Sequence, residues 1–381
     1  MTFLQIFTLG YHSNYLLAGL AVGLIIAVYS FFRLNKLFNY FNIKEKNSLV
    51  CRLFISGIIF IFCYNIQSTF TILLTYLFFS SVLADIIRIV YEIISKYFNR
   101  ECISIRKFHR NGIFALIFFI LIVSFSIYGM SHIDSTNYSI NTNKTNESYS
   151  ILYISDIHYD TIQDTQLFKN KLQEMNNTKP DIIILGGDIV DERTSKKSME
   201  EVFSLLGGLN STYGIYYVFG NHDKQPNIND YINGSKPFTN THLINTIKNS
   251  GINILEDNFS CINNDIDLIG RGDSGFEDSI PRKNSSDLVN VNSSKFTILL
   301  DHQPVDVKLN SKLGVDLQIS GHTHGGQLFP YGFASEIAGK YNYGKYIVGN
   351  MTQITSSGFT GWGIPLRNEA KCEYVLININ Q

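Results

Sequence analysis

The chain has 381 residues, with 31 Lys and Arg against 32 Asp and Glu and a formal net charge of -1, so no global field favours nucleic acid and no such partner is expected. Its five cysteines, Cys51, Cys63, Cys102, Cys261 and Cys372, include no Cys-x-x-Cys pair, which argues against a structural zinc site or a dithiol redox motif. Cys261 and Cys372 can pair if their domain is exported, or stay as free buried thiols.

The length suits a membrane region plus one sizeable domain, and the composition changes about a third of the way along. Residues 1–130 read as the membrane region. The uncharged run YLLAGLAVGLIIAVYSFF (15–32) matches the roughly 30 Å hydrocarbon thickness of a bilayer. The apolar stretch from Leu53 to Ala84 is too long for one ordinary span and is interrupted at Asn65, Gln67, Ser68 and Thr69, so it reads as a hairpin of two spans, about 50–66 and 69–87. A fourth span, 112–130, is again free of charge.

Arg33, Lys36, Lys44, Lys46 and Arg52 lie between the first two spans, and Arg88, Lys96, Arg100, Arg106, Lys107 and Arg110 between the last two. Both basic loops belong on the cytoplasmic side, which puts everything after Met130 outside the cytoplasm. Asp85, Arg88, Glu92 and Lys96 recur at helical spacing and are expected to decorate an interfacial extension of the third span. With no internal charge expected, the four spans read as an anchor and not a transport path. Residues 131–149 are rich in Ser, Thr and Asn and read as a solvated polar linker. The matches to Asn-x-Ser/Thr at Asn137, Asn143 and Asn146 are of the kind that so Asn-rich a stretch produces by chance, and they do not establish glycosylation.

From residue 150 to 381 short apolar runs alternate with amphipathic stretches, the pattern of an α/β domain. Strands are expected at 151–155, 182–186, 215–219, 296–300 and 315–320, and helices at 165–175, 198–206 and 242–250. Each expected strand is followed by chemistry: Asp156-Ile157-His158, Gly186-Gly187-Asp188, Gly220-Asn221-His222-Asp223, Asp301-His302, and Gly321-His322-Thr323-His324-Gly325-Gly326. These are carboxyl ends of strands, where α/β sheets gather ligands. Asp156 and His158, like His322 and His324, are two apart, so in extended chain each pair leaves on one side. Carboxylate, imidazole and amide oxygen together suit divalent manganese, iron or zinc, whereas an all-oxygen set would suit magnesium or calcium. A carboxylate can bridge two cations, and Asp188, behind two glycines, is the candidate. A lone Asp or His after a strand is usually a turn residue; five such sets in succession are not explained that way. Asp160, Asp191, Glu192, His242 and Asp306 read as solvated or supporting groups outside the site.

The ordered set Asp-x-His, Gly-Gly-Asp, Gly-Asn-His-Asp, a later His and Gly-His-Thr-His resembles the calcineurin-like metallophosphoesterase superfamily across 150–381. Within it, Ser320 to Gln327 (SGHTHGGQ) looks most like a membrane-associated bacterial phosphodiesterase branch. The resemblance implies a four-layer α-β-β-α sandwich with two divalent transition-metal ions at the carboxyl edges of the sheets. It implies that Asp156, His158, Asp188 and His324 hold one ion, and Asp188, Asn221, His302 and His322 the other. It also implies that Asn221 and His222 face the substrate, that His222 stabilises the phosphoryl charge or protonates the leaving oxygen, and that Asp223 orients its ring. Arg367 stands where that branch often carries an Arg, here without the Pro-Glu that usually follows, and is either a substrate-side cation or half of a structural salt bridge.

Two cations about 3.5–4 Å apart lower the pKa of a shared water and stabilise both entering and leaving groups in line. A phosphodiesterase or phosphomonoesterase attacking through a metal-bridging hydroxide is therefore implied. The absence of a Walker-type loop or a Ser-centred elbow removes an NTPase or serine hydrolase. A membrane location suggests a lipid headgroup or an envelope polymer as substrate. The rival reading is a non-catalytic membrane scaffold on the same fold.

Overall fold

A computed structural model describes residues 16–63, 68–98, 109, 111–162, 164–226, 235–275, 280–290 and 294–381. The expected outer turn at Asn65 and Gln67, the N-terminal stretch before residue 16, and Arg100, Arg106, Lys107 and Arg110 of the second basic loop lie outside the described residues. The chain divides into two compact units, Met1–Ser126 and Ile127–Gln381.

The first unit is helical: α1 (Leu16–Tyr40), α2 (Glu45–Phe62), α3 (Thr69–Tyr97) and most of α4 (Ile113–Ser131). By length and composition three of these can cross a membrane among the described residues, namely Gly19–Tyr40, Thr69–Tyr97 and Ile113–Ser131. The remaining helix, α2, has only 18 residues and carries Glu45, Lys46 and Arg52, so four spans are not established by length and apolarity alone. The interior of this unit does hold charge. Asp85 on α3 accepts hydrogen bonds from Tyr29 (2.8 Å) and Arg33 (3.3 Å) of α1 and lies 2.7 Å from His109 Nε2, while Arg33 also donates to the His109 carbonyl at 2.9 Å. Asp85 is therefore no interfacial ornament. It ties α1 and α3 to the segment before α4 by bonds that are strong where water is scarce. Glu92 pairs one turn back, with Arg88 at 2.9 Å.

In the second unit the expected polar linker is instead a strand. β1 (Ile133–Asn141) runs parallel to the C-terminal strand β12 (Cys372–Asn380), from Ile133 opposite Cys372 to Asn141 opposite Asn380. β1 is an edge strand with one buried end residue at each side, Ile133 and Ile140, so most of its side chains face water and its composition resembles a tether. Its hydrogen-bond partners come from the far end of the chain, which no local pattern reveals.

The five expected strands are β2 (Tyr149–Ile154), β3 (Ile182–Leu185), β4 (Ile215–Tyr217), β8 (Phe296–Leu300) and β9 (Leu317–Ser320). With them come β5 (Ile252–Ile254), β6 (Asn258–Ile262), β7 (Ile266–Gly270), β10 (Gly344–Val348) and β11 (Met351–Thr355). One six-stranded sheet has the order β1-β12-β2-β3-β4-β5 and the other β10-β11-β9-β8-β7-β6. Strands β2 to β5 are mutually parallel, as are β7, β8, β9 and β11, so their carboxyl ends gather along one edge of each sheet.

The two sheets share one core. Ile151, Tyr153, Ile182 and Ile184 of the first cluster with Leu268, Ile298, Leu300, Leu317 and Ile319 of the second. The alternate residues of the first sheet, Leu152, Ile154, Ile183 and Leu185, pack on Phe168, Met199, Phe203 and Leu243. Those residues lie on α5 (Thr165–Asn177), α6 (Lys196–Gly207) and α7 (Asn240–Asn249), which start at side-chain caps from Asp164, Ser195 and Thr239. The other face of the second sheet packs Ile269, Leu299 and Met351 against Val307 of the short helix α9 (Val307–Lys312), near α8 (Ser285–Leu288). Period-two burial on central strands thus fixes which residues lie between sheets and which lie under helices.

Candidate metal centre

Asp156, Asp188, Asn221, His302 and His322 each follow a parallel strand at its carboxyl end, so sheet topology brings them together. The local backbone is unusual. Asp156, His158, Asp188, His322 and His324 all have positive φ, between 43° and 69°, a region that non-glycine residues rarely occupy and that clusters at functional sites. The neighbouring turns need glycine. A Cβ on Gly187 (φ 90°) would lie 2.5 Å from the Gly220 nitrogen, and one on Gly220 would lie 2.2 Å from Asp188 Oδ1.

The side chains fall into two groups whose candidate ligand atoms lie within 4.8 Å of one another: Asp156, His158 and His324, and Asp188, His302 and His322. Asp188 Oδ2 is 3.9 Å from His158 Nε2 and 3.1 Å from His302 Nε2, so one carboxylate adjoins both groups. His324 Nε2 lies 3.6 Å from Asp156 Oδ1, and His322 Nδ1 lies 2.8 Å from Asn221 Oδ1, which adds the amide to the second group.

The residues fit divalent transition metals on an observation of their own. The Nε2 atom of His158 is buried and makes no hydrogen bond, a costly state for an imidazole nitrogen unless something else coordinates it, and the buried Nε2 of His302 faces the Asp188 carboxylate. The opposite nitrogens orient the rings. His302 Nδ1 donates to the Gly186 carbonyl at 2.7 Å and His324 Nδ1 to the Thr360 carbonyl at 3.0 Å, which fixes the orientation of both rings. His158 Nδ1 lies 3.3 Å from Asp191 Oδ2.

Burial lowers two of the ligand imidazoles, whereas the facing Asp188 carboxylate overcomes burial and raises a third, His302, well above its ordinary value. Burial, then the neighbouring His302, press His322 down to about 3. Burial and His158 hold His324 well below its ordinary value. Both stay neutral, the form in which imidazole binds a metal. Burial opposes ionisation of Asp188, yet His302 and His222 facing it keep its carboxyl well below the usual range.

His222 stands beside these groups, its backbone N–H donating to Asp188 Oδ1 at 2.8 Å. Its carboxylate partner is not Asp223. Asp223 instead accepts the N–H groups of Asp188, Ile189, Val190 and Gly220 at 2.6–3.2 Å, pinning two strand-end turns together. The partner is Glu192, whose Oε2 lies 2.7 Å from His222 Nδ1, both residues being buried. Burial opposes protonation of His222, but the Asp188 and Glu192 carboxylates raise it to about 9. Trp362 stacks on the other side, its ring centroid 5.5 Å from the His222 ring with planes 28° apart.

Two expectations about the surroundings are corrected. Arg367 is neither a substrate-side cation nor half of a salt bridge; it is fully buried and donates to the carbonyls of Ser357 and Lys371 (2.7 Å) and of His324 and Thr360 (3.1 Å). Cys261 and Cys372 do not pair: Cys261 is an exposed thiol taking a bond from Lys295, and Cys372 is buried on β12. Asp191 and Glu192, expected as solvated or supporting groups, are the supporting kind, beside His158 and His222. Asp160, His242 and Asp306 do lie outside, engaged with Ser198, Glu200 and Arg271. Sequence reading missed Glu192, Trp362 and Gln327, although a sole tryptophan and a Gln closing the Gly-His-Thr-His-Gly-Gly run were visible signals.

Residues 149–326 match the family model of calcineurin-like phosphoesterases. An uncharacterized metallophosphoesterase of Campylobacter jejuni is 27% identical over 307 residues, 80% of this chain and 78% of that one. One from Helicobacter pylori strain 26695 is 33% identical over 244 residues, 62% of this chain and 61% of that one. A bovine transmembrane protein with a metallophosphoesterase domain is 28% identical over 239 residues, 59% of this chain and 52% of that one. The chain thus spans only about three fifths of the Helicobacter relative and half of the bovine one. The family match, together with these relatives, identifies residues 149–326 as a calcineurin-like phosphoesterase domain.

Proposed function

We propose that this protein is a membrane-anchored phosphoesterase that holds two divalent transition-metal ions and hydrolyses a phosphate mono- or diester. The observation that carries the reading is Asp188, whose carboxylate adjoins two candidate ligand groups, 3.9 Å from the buried Nε2 of His158, which has no hydrogen bond, and 3.1 Å from the buried Nε2 of His302. In this reading Asp156, His158, Asp188 and His324 hold one ion, and Asp188, Asn221, His302 and His322 the other. When bound, the ions supply Lewis acidity, lowering the pKa of a water and offsetting charge on the phosphoryl oxygens.

This chain's own residues do the rest. Asp191 and the Gly186 and Thr360 carbonyls orient the ligand imidazoles. His222, kept protonated by Glu192, gives a proton to the leaving oxygen. Trp362 limits water access on that side of the ring and fixes its plane. The four-layer α-β-β-α arrangement and the membrane-associated phosphodiesterase branch belong to the same reading, as does placement of the domain outside the cytoplasm with the basic residues between α1 and α2 inside.

Hydrolysis of nitrophenyl phosphate mono- and diesters by the full metal-loaded chain tests the activity; a folded protein inert with manganese, iron and zinc would sink it. Exposed Cys261 tests the orientation. A membrane-impermeant maleimide is expected to label it in intact cells, with Cys261→Ser as the control, and protection would contradict the outside placement.

A further inference from the structure

Residues 361–370 lie between two features that hydrolysis itself does not require. On one side is the end of α4. Gly129 packs so closely on Arg367 that a Cβ there would lie 2.4 Å from the Arg367 carbonyl oxygen, and a Cβ on Gly361 would lie 2.4 Å from Met130 Cε. Met130 is buried with Ile133 in the core. Only His132 separates Ser131, which ends α4, from Ile133, which begins β1. A 19-residue helix apolar enough to cross a membrane thus runs into β1 with no tether, and in the membrane-anchored reading the water–lipid boundary falls near its end.

On the other side the same segment holds residues 328–337. Asn368 Oδ1 accepts the Phe329 N–H at 2.8 Å, and the Glu369 carboxylate accepts those of Gly332 and Phe333 at 2.7 and 2.6 Å. The bonds fix a stretch on which Phe329, Tyr331, Phe333 and Ile337 are 58%, 51%, 55% and 72% exposed. Isolated exposed apolar residues are ordinary; four of them within nine positions, three aromatic, mark a contact surface. Aromatic side chains are also those that favour the membrane interface.

Gln327 connects this surface to the metal centre. It sits between His324 and Phe329, its Nε2 donates to the carbonyls of Trp362, Ile364 and Leu366, and its Oε1 accepts the Trp362 N–H at 2.8 Å. Trp362 in turn stacks on His222. The end of the apolar helix, the exposed aromatic surface and the reacting centre therefore meet along one short segment.

We propose that Phe329, Tyr331, Phe333 and Ile337 insert into the bilayer surface beside α4 and present the site to the phosphate ester of a membrane lipid whose tail stays in the bilayer. The substrate half of this proposal rests on the phosphoesterase reading. A water-soluble ester needs no such apolar surface. A lipid phosphate does, because extracting its acyl chains into water is unfavourable for every CH₂ exposed.

The test uses the full chain in phosphatidylcholine nanodiscs with or without bromine on the acyl chains. Phe333→Trp in a Trp362→Phe background puts the sole tryptophan on the surface. Its emission is expected to shift to the blue and to be quenched by brominated lipid; unquenched emission, including that of a protein dimerised through this face, overturns the docking.

In a second arm, the wild type and the triple variant Phe329→Ser, Phe333→Ser, Ile337→Ser are compared on phosphatidic acid and phosphatidylglycerol in nanodiscs and on soluble nitrophenyl esters. The variant is expected to lose roughly tenfold or more on the phospholipids, as removal of three bilayer-inserted apolar groups implies, and to keep its turnover of soluble esters. Equal losses on both kinds of substrate, or none on the lipid, overturn the proposal. If neither phospholipid is cleaved while nitrophenyl esters are, the quenching decides the docking. If the wild type cleaves nothing, the phosphoesterase reading fails, and quenching still decides whether this surface meets lipid.

Discussion

The Nδ1 of His222 lies 2.7 Å from Oε2 of Glu192, in a position where both are buried and the ring is stacked on Trp362. A carboxylate there orients the ring and favours its charged form, the two properties that the proposed general acid needs.

His222→Ala should lower kcat by roughly 10²–10⁴-fold on a poor leaving group. Glu192→Gln should cost less, roughly 10–100-fold by analogy with other orienting partners, and should move the alkaline limb of the kcat profile to lower pH. The sign follows from the raised value of about 9: Asp188 and Glu192 stabilise the imidazolium, so removing one carboxylate releases the proton earlier. An unmoved alkaline limb in a folded Glu192→Gln protein would deny that Glu192 acts through His222.

Asp191 supplies a prediction for acid stability. Burial opposes its ionisation, but Arg193 and His158 hold its carboxyl far below the ordinary range. Its folded pKa is depressed, so its contribution is present above the unfolded value of about 4 and is lost as pH falls below it. Equilibrium unfolding of Asp191→Asn should show lower stability near neutrality and a shallower decline below about pH 4. A decline parallel to wild type would show that the ion pair contributes nothing.

Arg367 should behave as a structural residue. Its guanidinium satisfies four carbonyls around the His324 turn, and losing charged donors from buried acceptors costs about 1–3 kcal/mol for each group left bare. Arg367→Ala is therefore expected to lower stability by about 3 kcal/mol or more, measured by denaturant unfolding. A stable variant with a raised KM would restore the substrate-side role.

The sequence made the metal groups legible because each ligand follows a buried strand with a clear apolar run, and parallel strands deliver their ends to one edge. Other features were hidden for physical reasons. Strand β1 carries polar side chains because an edge strand buries few of them, and its ladder partner is β12 at the opposite end of the chain. Asp223 was the wrong partner for His222 because adjacency in sequence says little about direction in a turn: its carboxylate points back to the N–H groups of 188–190. Asp85 looked interfacial by helical spacing, while its role depends on Arg33, Tyr29 and His109, each far away in sequence.

The most direct test of the account is the metal content of the purified full chain, measured by elemental analysis alongside nitrophenyl ester turnover. Wild type should hold about two ions per chain, the arrangement that supports in-line displacement. His302→Ala should retain only the ion held by Asp156, His158, Asp188 and His324, and Asp188→Ala should hold neither tightly, with turnover lost in both. Full turnover after complete chelation, or fewer than one ion bound at saturating manganese, iron or zinc in a correctly folded protein, would contradict it.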